Sequence, residues 1–327
     1  MTGHRRPYPV PRKDQWPAAQ QHDPTALVRY ALVHDEGRLV AAAPLYVVDT
    51  EPNDLYRVHE VVPGQEPGRV VLAGSRRGYV NAPLLHPRLA PPRRGEALGR
   101  LVAAARSLAE AGRARPWWLY VTDAAAAELA DACGAAPVRL NEEARIPLPG
   151  GSFEDYLAGL PRARRTCVRR ERRAFAEAGY ELRTLRLSEC ADEAGALAAQ
   201  LQARHHHPVD PGFMAALLRE QAEGMAGTGV VHAAYAEGRM AAFSLFSLHA
   251  GAVWLRSTGY DYDRLRGAHL PIEYAYAHGA TAVHLGMESL RAKTLRGGVT
   301  SALWAVAGGV PPGPAQTVTG PAPSSVG

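Results

Sequence analysis

The chain has 327 residues, 46% of them hydrophobic and 21% charged, which is long enough for one large core or two smaller ones and argues against wholesale disorder. Lys and Arg number 37 against 32 Asp and Glu, a surplus of +5 that permits an anionic partner without demanding one. Three cysteines (Cys133, Cys167, Cys190) are too few and too unpatterned for a disulfide scaffold or a cysteine-rich zinc site, and no apolar run of about 18 residues suggests a membrane span.

Residues 1–24 are rich in Pro, Arg and Gln and read as a loose arm, with no apolar segment typical of a signal peptide. A cytoplasmic protein is therefore expected. Strands are predicted over 26–34 and 38–48, around the turn signal Asp35-Glu36-Gly37. A helix over 97–111, a strand over 117–121 and a helix over 124–132 follow. A short helix near 154–158 meets Pro161, and a strong helix over 162–178 stops at Gly179. Next come a strand over 180–187 and helices over 193–204 and 211–225. A meander follows over 230–236, 240–249 and 252–257. A helix over 270–278 and a short strand over 282–285 complete the folded part. The Pro-, Gly- and Ser-rich tail from 309 to 327 is expected to be disordered. Strands alternating with helices predict an α/β fold. The expected division is 25–150 and 151–308.

The two parts echo one another. Each sets an acidic-Gly-Arg turn (Glu36-Gly37-Arg38; Glu237-Gly238-Arg239) between apolar strands, and each follows with a Gly-Tyr pair (Gly78-Tyr79; Gly259-Tyr260), a helix and a short strand. This suggests a duplicated α/β unit.

Three segments hold candidate chemistry. Only Lys13 and Lys293 are lysines, so the basic residues are overwhelmingly arginine, and seven arginines fall within 162–173. At helical spacing Arg165, Arg169 and Arg172 or Arg173 line one face, while Cys167, Ala174 and Ala178, with Val168 and Phe175, can face the core. Such a face suits several phosphates, or pairs with acidic residues elsewhere. The loop and helix from Ser257 to Tyr274 carry Tyr260, Gly267, His269, Glu273 and Tyr274. Its amides suit an anion, Tyr260, His269 and Tyr274 suit substrate contact, and Glu273 suits a general base or an anchor for an amine. The loop from His284 to Gly298 carries Glu288, Lys293 and Arg296. A lysine placed against the compositional grain suits an oxyanion or a phosphate, with Arg296 beside it. No phosphate-binding GxxxxGK[ST], dinucleotide glycine fingerprint or GxSxG elbow occurs. The adjacent histidines 205–207 point in different directions and lack a second ligand cluster, so no metal is expected.

Several stretches together resemble the GNAT-like family that includes FemAB-type aminoacyltransferases and their natural-product relatives. The stretch from Ser152 to Pro161 before the arginine-rich helix resembles its passage into a second domain. Gly267-Ala268-His269-Leu270-Pro271-Ile272-Glu273-Tyr274 resembles its helix after the central strands. Gly286-Met287-Glu288 with Lys293-Thr294-Leu295-Arg296-Gly297 resembles its late Gly…Lys-x-x-Arg-Gly signature. The resemblance implies tandem GNAT folds with mixed central sheets, and transfer of an aminoacyl group to an amine of a small metabolite or cell-wall precursor. The implied donor is aminoacyl-tRNA, so tRNA is the implied partner and no other cofactor is called for. Acyl-CoA is the alternative donor, although Arg264-Leu265-Arg266-Gly267-Ala268-His269 ends in histidine where CoA enzymes of the family carry a small residue. A non-catalytic module that binds nucleic acid or a partner is a further alternative. Glu273, Glu288 and Lys293 are the candidate catalytic residues. Arg165, Arg169, Arg172, Arg173, Arg296 and Gly267 are candidates for the donor phosphates.

Overall fold

The computed structural model describes residues 26–204, 209–225, 228–261 and 271–309. Strands β1 (Leu27–Asp35) and β2 (Arg38–Val48) form the expected hairpin, turning at Glu36 and Gly37, both at positive φ. A helical turn, α1 (Val58–Val61), precedes β3 (Val70–Ala73) and the two-residue β4 (Leu84–Leu85). Helix α2 (Pro91–Ala111) starts on prolines and buries Leu98, Leu101, Val102, Ala105 and Ala109, a stripe spaced by three and four. Then come β5 (Arg115–Thr122), α3 (Asp123–Cys133) and β6 (Val138–Pro147). Thr122 caps α3 by accepting from the Ala125 amide, and Gly134 ends it in the left-handed region.

The chain continues with α4 (Phe153–Gly159), α5 (Arg162–Glu177) and β7 (Glu181–Arg186). Ser152 caps α4, and Pro161 ends it and opens α5. Helices α6 (Ala191–Arg204) and α7 (Pro211–Gly224) lead to the meander β8 (Gly229–Ala236), β9 (Arg239–His249) and β10 (Ala252–Tyr260). Helix α8 (Ile272–Ala277), β11 (Ala282–Gly286), α9 (Leu290–Thr294) and β12 (Val299–Ala307) complete the described residues.

One twelve-stranded sheet runs through these elements in the order β1-β2-β3-β5-β12-β6-β11-β10-β9-β8-β7, with β4 beside β2. Strands β12 and β6 pair antiparallel at its centre. Outward from them, each side repeats the same pattern. An antiparallel pair (β12–β5; β6–β11) is followed by a parallel pair (β5–β3; β11–β10) and two antiparallel pairs (β3–β2–β1; β10–β9–β8). The internal echo thus appears as matching topology. The two halves also exchange a strand: β6 precedes residue 150 but pairs with β11, and β12, the last strand among the described residues, pairs with β5.

Helices α2 and α3 cover one face beside β1–β5 around Leu98, Leu101, Trp118 and Leu129. Helices α6 and α7 cover β8–β10 around Leu197, Leu218, Phe243 and Leu245. Gly259 on β10 is required by this packing, because a Cβ there would sit 2.5 Å from the Phe243 ring and 2.8 Å from the Leu197 backbone. Tyr46, Tyr56, Trp117, Tyr120, Met287 and Leu303 form a core on the sheet's other side. Strands β3, β4, β6 and β12 are absent from the sequence expectation, and two of them are the centre of the sheet.

Candidate functional site

Strands β10 and β11 run side by side only over Ala252↔Ala282, Val253↔Val283 and Trp254↔His284. Beyond that point they part. Strand β10 follows β9 to Tyr260, with an irregular register between Leu255 and Ser257. Strand β11 follows β6 to Gly286. A fork at the carboxyl ends of parallel strands is where open α/β sheets hold ligands, because backbone groups there have lost their neighbour.

The apex of the fork carries a fixed imidazole. His284 Nδ1 lies 3.1 Å from a carboxylate oxygen of Glu143 on β6. Both side chains are largely buried, at 13% and 8% exposure. An ionised carboxylate only accepts, so this contact makes Nδ1 the donor, and the neutral imidazole then carries its lone pair on Nε2. The directly paired Trp254 stacks flat on the imidazole, with ring centroids 3.7 Å apart and planes 2° apart. Packing and hydrogen bonding together fix one tautomer and one ring orientation.

Lys293 and Tyr79 feel the charge of Glu143, and Glu288, Arg256 and Tyr56 interact with them in turn. Lys293 on α9 donates to the carbonyl of Gly286, the last residue of β11, at 2.9 Å. Burial lowers its ammonium pKa to about 8, against the opposing pull of Glu288 and Glu143. Burial also raises the Tyr56 phenol to about 12, and raises Tyr79 and Tyr120 further still. These phenols therefore stay protonated as donors. Arg256, at the irregular step of β10, is pushed below the usual guanidinium value by burial, while Tyr56 and Tyr79 act in the opposite sense. Glu288 is exposed and contributes to the fields at Lys293, Tyr56 and Tyr120.

The sequence-derived candidates fall in several places. Lys293 and Glu288 join the fork. Glu273, at the start of α8, is exposed and bound to Arg172 at 2.5 Å. Tyr274 packs edge-on against Phe246 and His232 and stacks on His278. Tyr260 ends β10 and is half-buried. Gly267 and His269, with the whole stretch 264–269, lie outside the described residues. On α5, Arg169 binds Glu154 at 2.7 Å, and Arg172 also covers the Phe153 ring. Arg296 binds Glu171 at 3.4 Å. These three arginines are thus tied to neighbours, while Arg173 is exposed and Arg165 half-exposed. No residue of α5 is buried. Among the described residues no group of three or more His, Cys, Asp or Glu side chains could hold a metal, and no helix is long and apolar enough to cross a membrane.

Sequence reasoning misses Glu143, His284, Trp254 and Arg256 as site residues. Their positions have no motif to mark them: the pair 143/284 is made by strands from opposite halves. Tyr79, notable in the sequence only for its echo of Tyr260, also reaches the fork, its hydroxyl bonding to Leu255. The first half has a matching fork where β3 and β5 part beyond Leu72↔Trp117. That fork is filled. Asn81 Nδ2 donates to the Ala73 carbonyl at 3.1 Å and the Leu119 carbonyl at 3.2 Å, one on each arm.

A family model described as an acetyltransferase (GNAT) domain matches residues 162–294, the stretch that contains β10, β11 and α9. No curated protein matches the sequence. Among solved structures, FemX is similar with a TM-score of 0.61 at 11% identity, over 89% of this chain and 90% of that one. L-PGS from Bacillus licheniformis is similar with a TM-score of 0.56 at 10% identity, over 93% and 94%. A tandem GNAT protein from the clavulanic acid biosynthesis pathway is similar with a TM-score of 0.51 at 17% identity, over 88% and 85%. The chain therefore has a GNAT-like α/β fold with a mixed central sheet, consistent with tandem GNAT folds.

Proposed function

We propose that this chain is an amide-forming acyltransferase, built of two GNAT-like units, whose reaction takes place at the second-half fork. The single observation that carries this reading is the Glu143–His284 pair held under Trp254 at the apex of the fork. The preferred donor is aminoacyl-tRNA, and the acceptor is an amine of a small metabolite or cell-wall precursor in the cytoplasm. The amine nitrogen attacks the ester carbonyl, forming the C–N bond as the C–O bond breaks and the ribose hydroxyl leaves. His284 Nε2 takes the amine proton and returns it to the leaving oxygen, while Glu143 steadies the imidazolium. Lys293 supplies positive potential and a donor for the developing oxyanion, while the Tyr56 and Tyr120 hydroxyls are committed to the Arg77 and Leu55 carbonyls. Glu288 orients the acceptor, whose ammonium form releases one proton to solvent before the neutral amine attacks. In this reading Glu273 is an anchor for α5 and not a base.

The arginine-rich α5 supports the choice of tRNA. A helix that buries none of its residues and holds exposed guanidinium groups presents charge to a long phosphate backbone. Mass spectrometry of products, with charged tRNA and acyl-CoA supplied separately to a panel of amines, tests the reading. An amide product that requires charged tRNA is expected. Turnover with acyl-CoA alone overturns the donor. Salt-sensitive tRNA binding with no amide formed overturns the enzyme in favour of a binding module.

A further inference from the structure

The segment between β3 and β4 belongs to the first half in sequence, yet its Tyr79 closes the fork of the second. The Tyr79 hydroxyl donates to the Leu255 carbonyl of β10 at 2.9 Å, one residue past the last β10–β11 pair. Its ring lies against Gly286 of β11, where an added Cβ would sit 3.6 Å from the ring carbons. Gly286 has φ +76°, so the position disfavours any side chain that would push the ring away. One aromatic ring therefore spans both arms of the fork at its apex, 6.4 Å from Trp254.

The segment that carries Tyr79 is tied down on both sides. Arg76 and Arg77 bind the same Glu51 carboxylate at 2.6 Å and 3.0 Å. The Tyr56 hydroxyl donates to the Arg77 carbonyl at 3.1 Å. Two residues beyond Tyr79, Asn81 is pinned between Ala73 and Leu119. Tyr79 is thus a preorganised wall, and a ligand entering the fork meets a ring it does not displace without breaking the Leu255 bond.

Resting on the acyl-transfer reading, we propose that Tyr79 sets the size of the transferred group. The ring restricts the donor to a small acyl or aminoacyl moiety, with a side chain of no more than a few carbons. The closing experiment uses the full chain and isothermal titration calorimetry with two graded ligand series. One series is stable 3′-amide analogues of aminoacyl-adenosine carrying glycyl, alanyl, leucyl and phenylalanyl groups. The other is acetyl-, propionyl- and hexanoyl-CoA. Wild type is expected to bind the small members of one series and to reject the large ones. Tyr79→Ala improves large over small by roughly tenfold to a hundredfold. Tyr79→Phe keeps the wild-type order, and Tyr79→Leu, a second variant should alanine fail to fold, falls between. An unchanged large-to-small ratio in Tyr79→Ala or Tyr79→Leu overturns the proposal and leaves acyl transfer standing. Failure of wild type to bind either series overturns the acyl reading and this proposal with it.

Discussion

Glu51 holds two arginines, and its replacement by glutamine tests how the wall of the fork is built. One carboxylate oxygen accepts from Arg76 Nε at 2.7 Å and Nη2 at 2.6 Å. The other accepts from Arg77 Nε and Nη2, each at 3.0 Å, and from the Asn53 amide at 3.1 Å. The side chain of Arg76 is 0% exposed and that of Glu51 4%, while Arg77 retains 17%. Glu51→Gln preserves volume but turns an amide NH2 toward one guanidinium whichever way it lies, and removes the negative charge that faces both cations. Breaking a buried pair by removing one partner costs about 3–5 kcal/mol. Water that reaches Arg77 moves the expected loss to the low end, about 3 kcal/mol. Thermal and urea denaturation followed by circular dichroism measure it. Glu273→Gln is the control: its pair with Arg172 is 46% and 40% exposed, and such pairs contribute about 0–1 kcal/mol. If Glu51→Gln destabilises no more than Glu273→Gln, the buried cluster is not what holds the 74–81 segment.

Three further outcomes concern the site and α5. His284→Gln lowers kcat/KM by about a hundredfold or more, the range for loss of a positioned base, and Glu143→Gln loses less because the ring remains under Trp254. Steady-state kinetics on amide formation check this, and a His284→Gln enzyme of wild-type rate rejects the base. Burial lowers Lys293 to about 8 in the fold, so its positive charge is lost as pH rises through that value. A rate that uses this charge therefore falls on the alkaline side of about pH 8, and Lys293→Arg carries the plateau upward; an identical alkaline limb in the variant removes Lys293 from the chemistry. Arg165→Ala combined with Arg173→Ala weakens tRNA binding and flattens its salt dependence, by roughly 0.7–0.9 in log–log slope for each phosphate the helix ceases to neutralise, with helical content unchanged. Filter binding across a salt series reads it, and an unaltered slope assigns α5 to a structural role.

The sequence reveals the outer sheet and hides the inner one, for a physical reason. Strands β1, β2, β8 and β9 alternate or run apolar between acidic-Gly turns, so local pattern and fold agree. Strand β6 does not. Its Arg139, Asn141, Glu142 and Glu143 break any period-two stripe, and a run of polar residues reads as loop. These residues are tolerated at the centre of the sheet because β6 borders the fork: Glu143 is buried on His284, and its neighbours Ala144 and Ile146 carry the core. Strand β12 is hidden in the same way, with Val299 to Ser301 exposed before Leu303, Ala305 and Val306 are buried. Its partner β5, from the other half of the chain, supplies what no local window contains. Lys293 is visible because composition makes it rare; His284 is one of 13 histidines and has nothing local to distinguish it. Of the missed strands, β6 carries a residue of the candidate site, Glu143, and there local pattern gives way to a buried polar contact, whereas β10 and β11, which carry Trp254 and His284, are legible. The strand exchange places Glu143 from one half against His284 from the other, so neither half alone contains the pair. A chain cut at residue 150 would leave β5 and β11 each facing a vacant edge and the imidazole without its carboxylate.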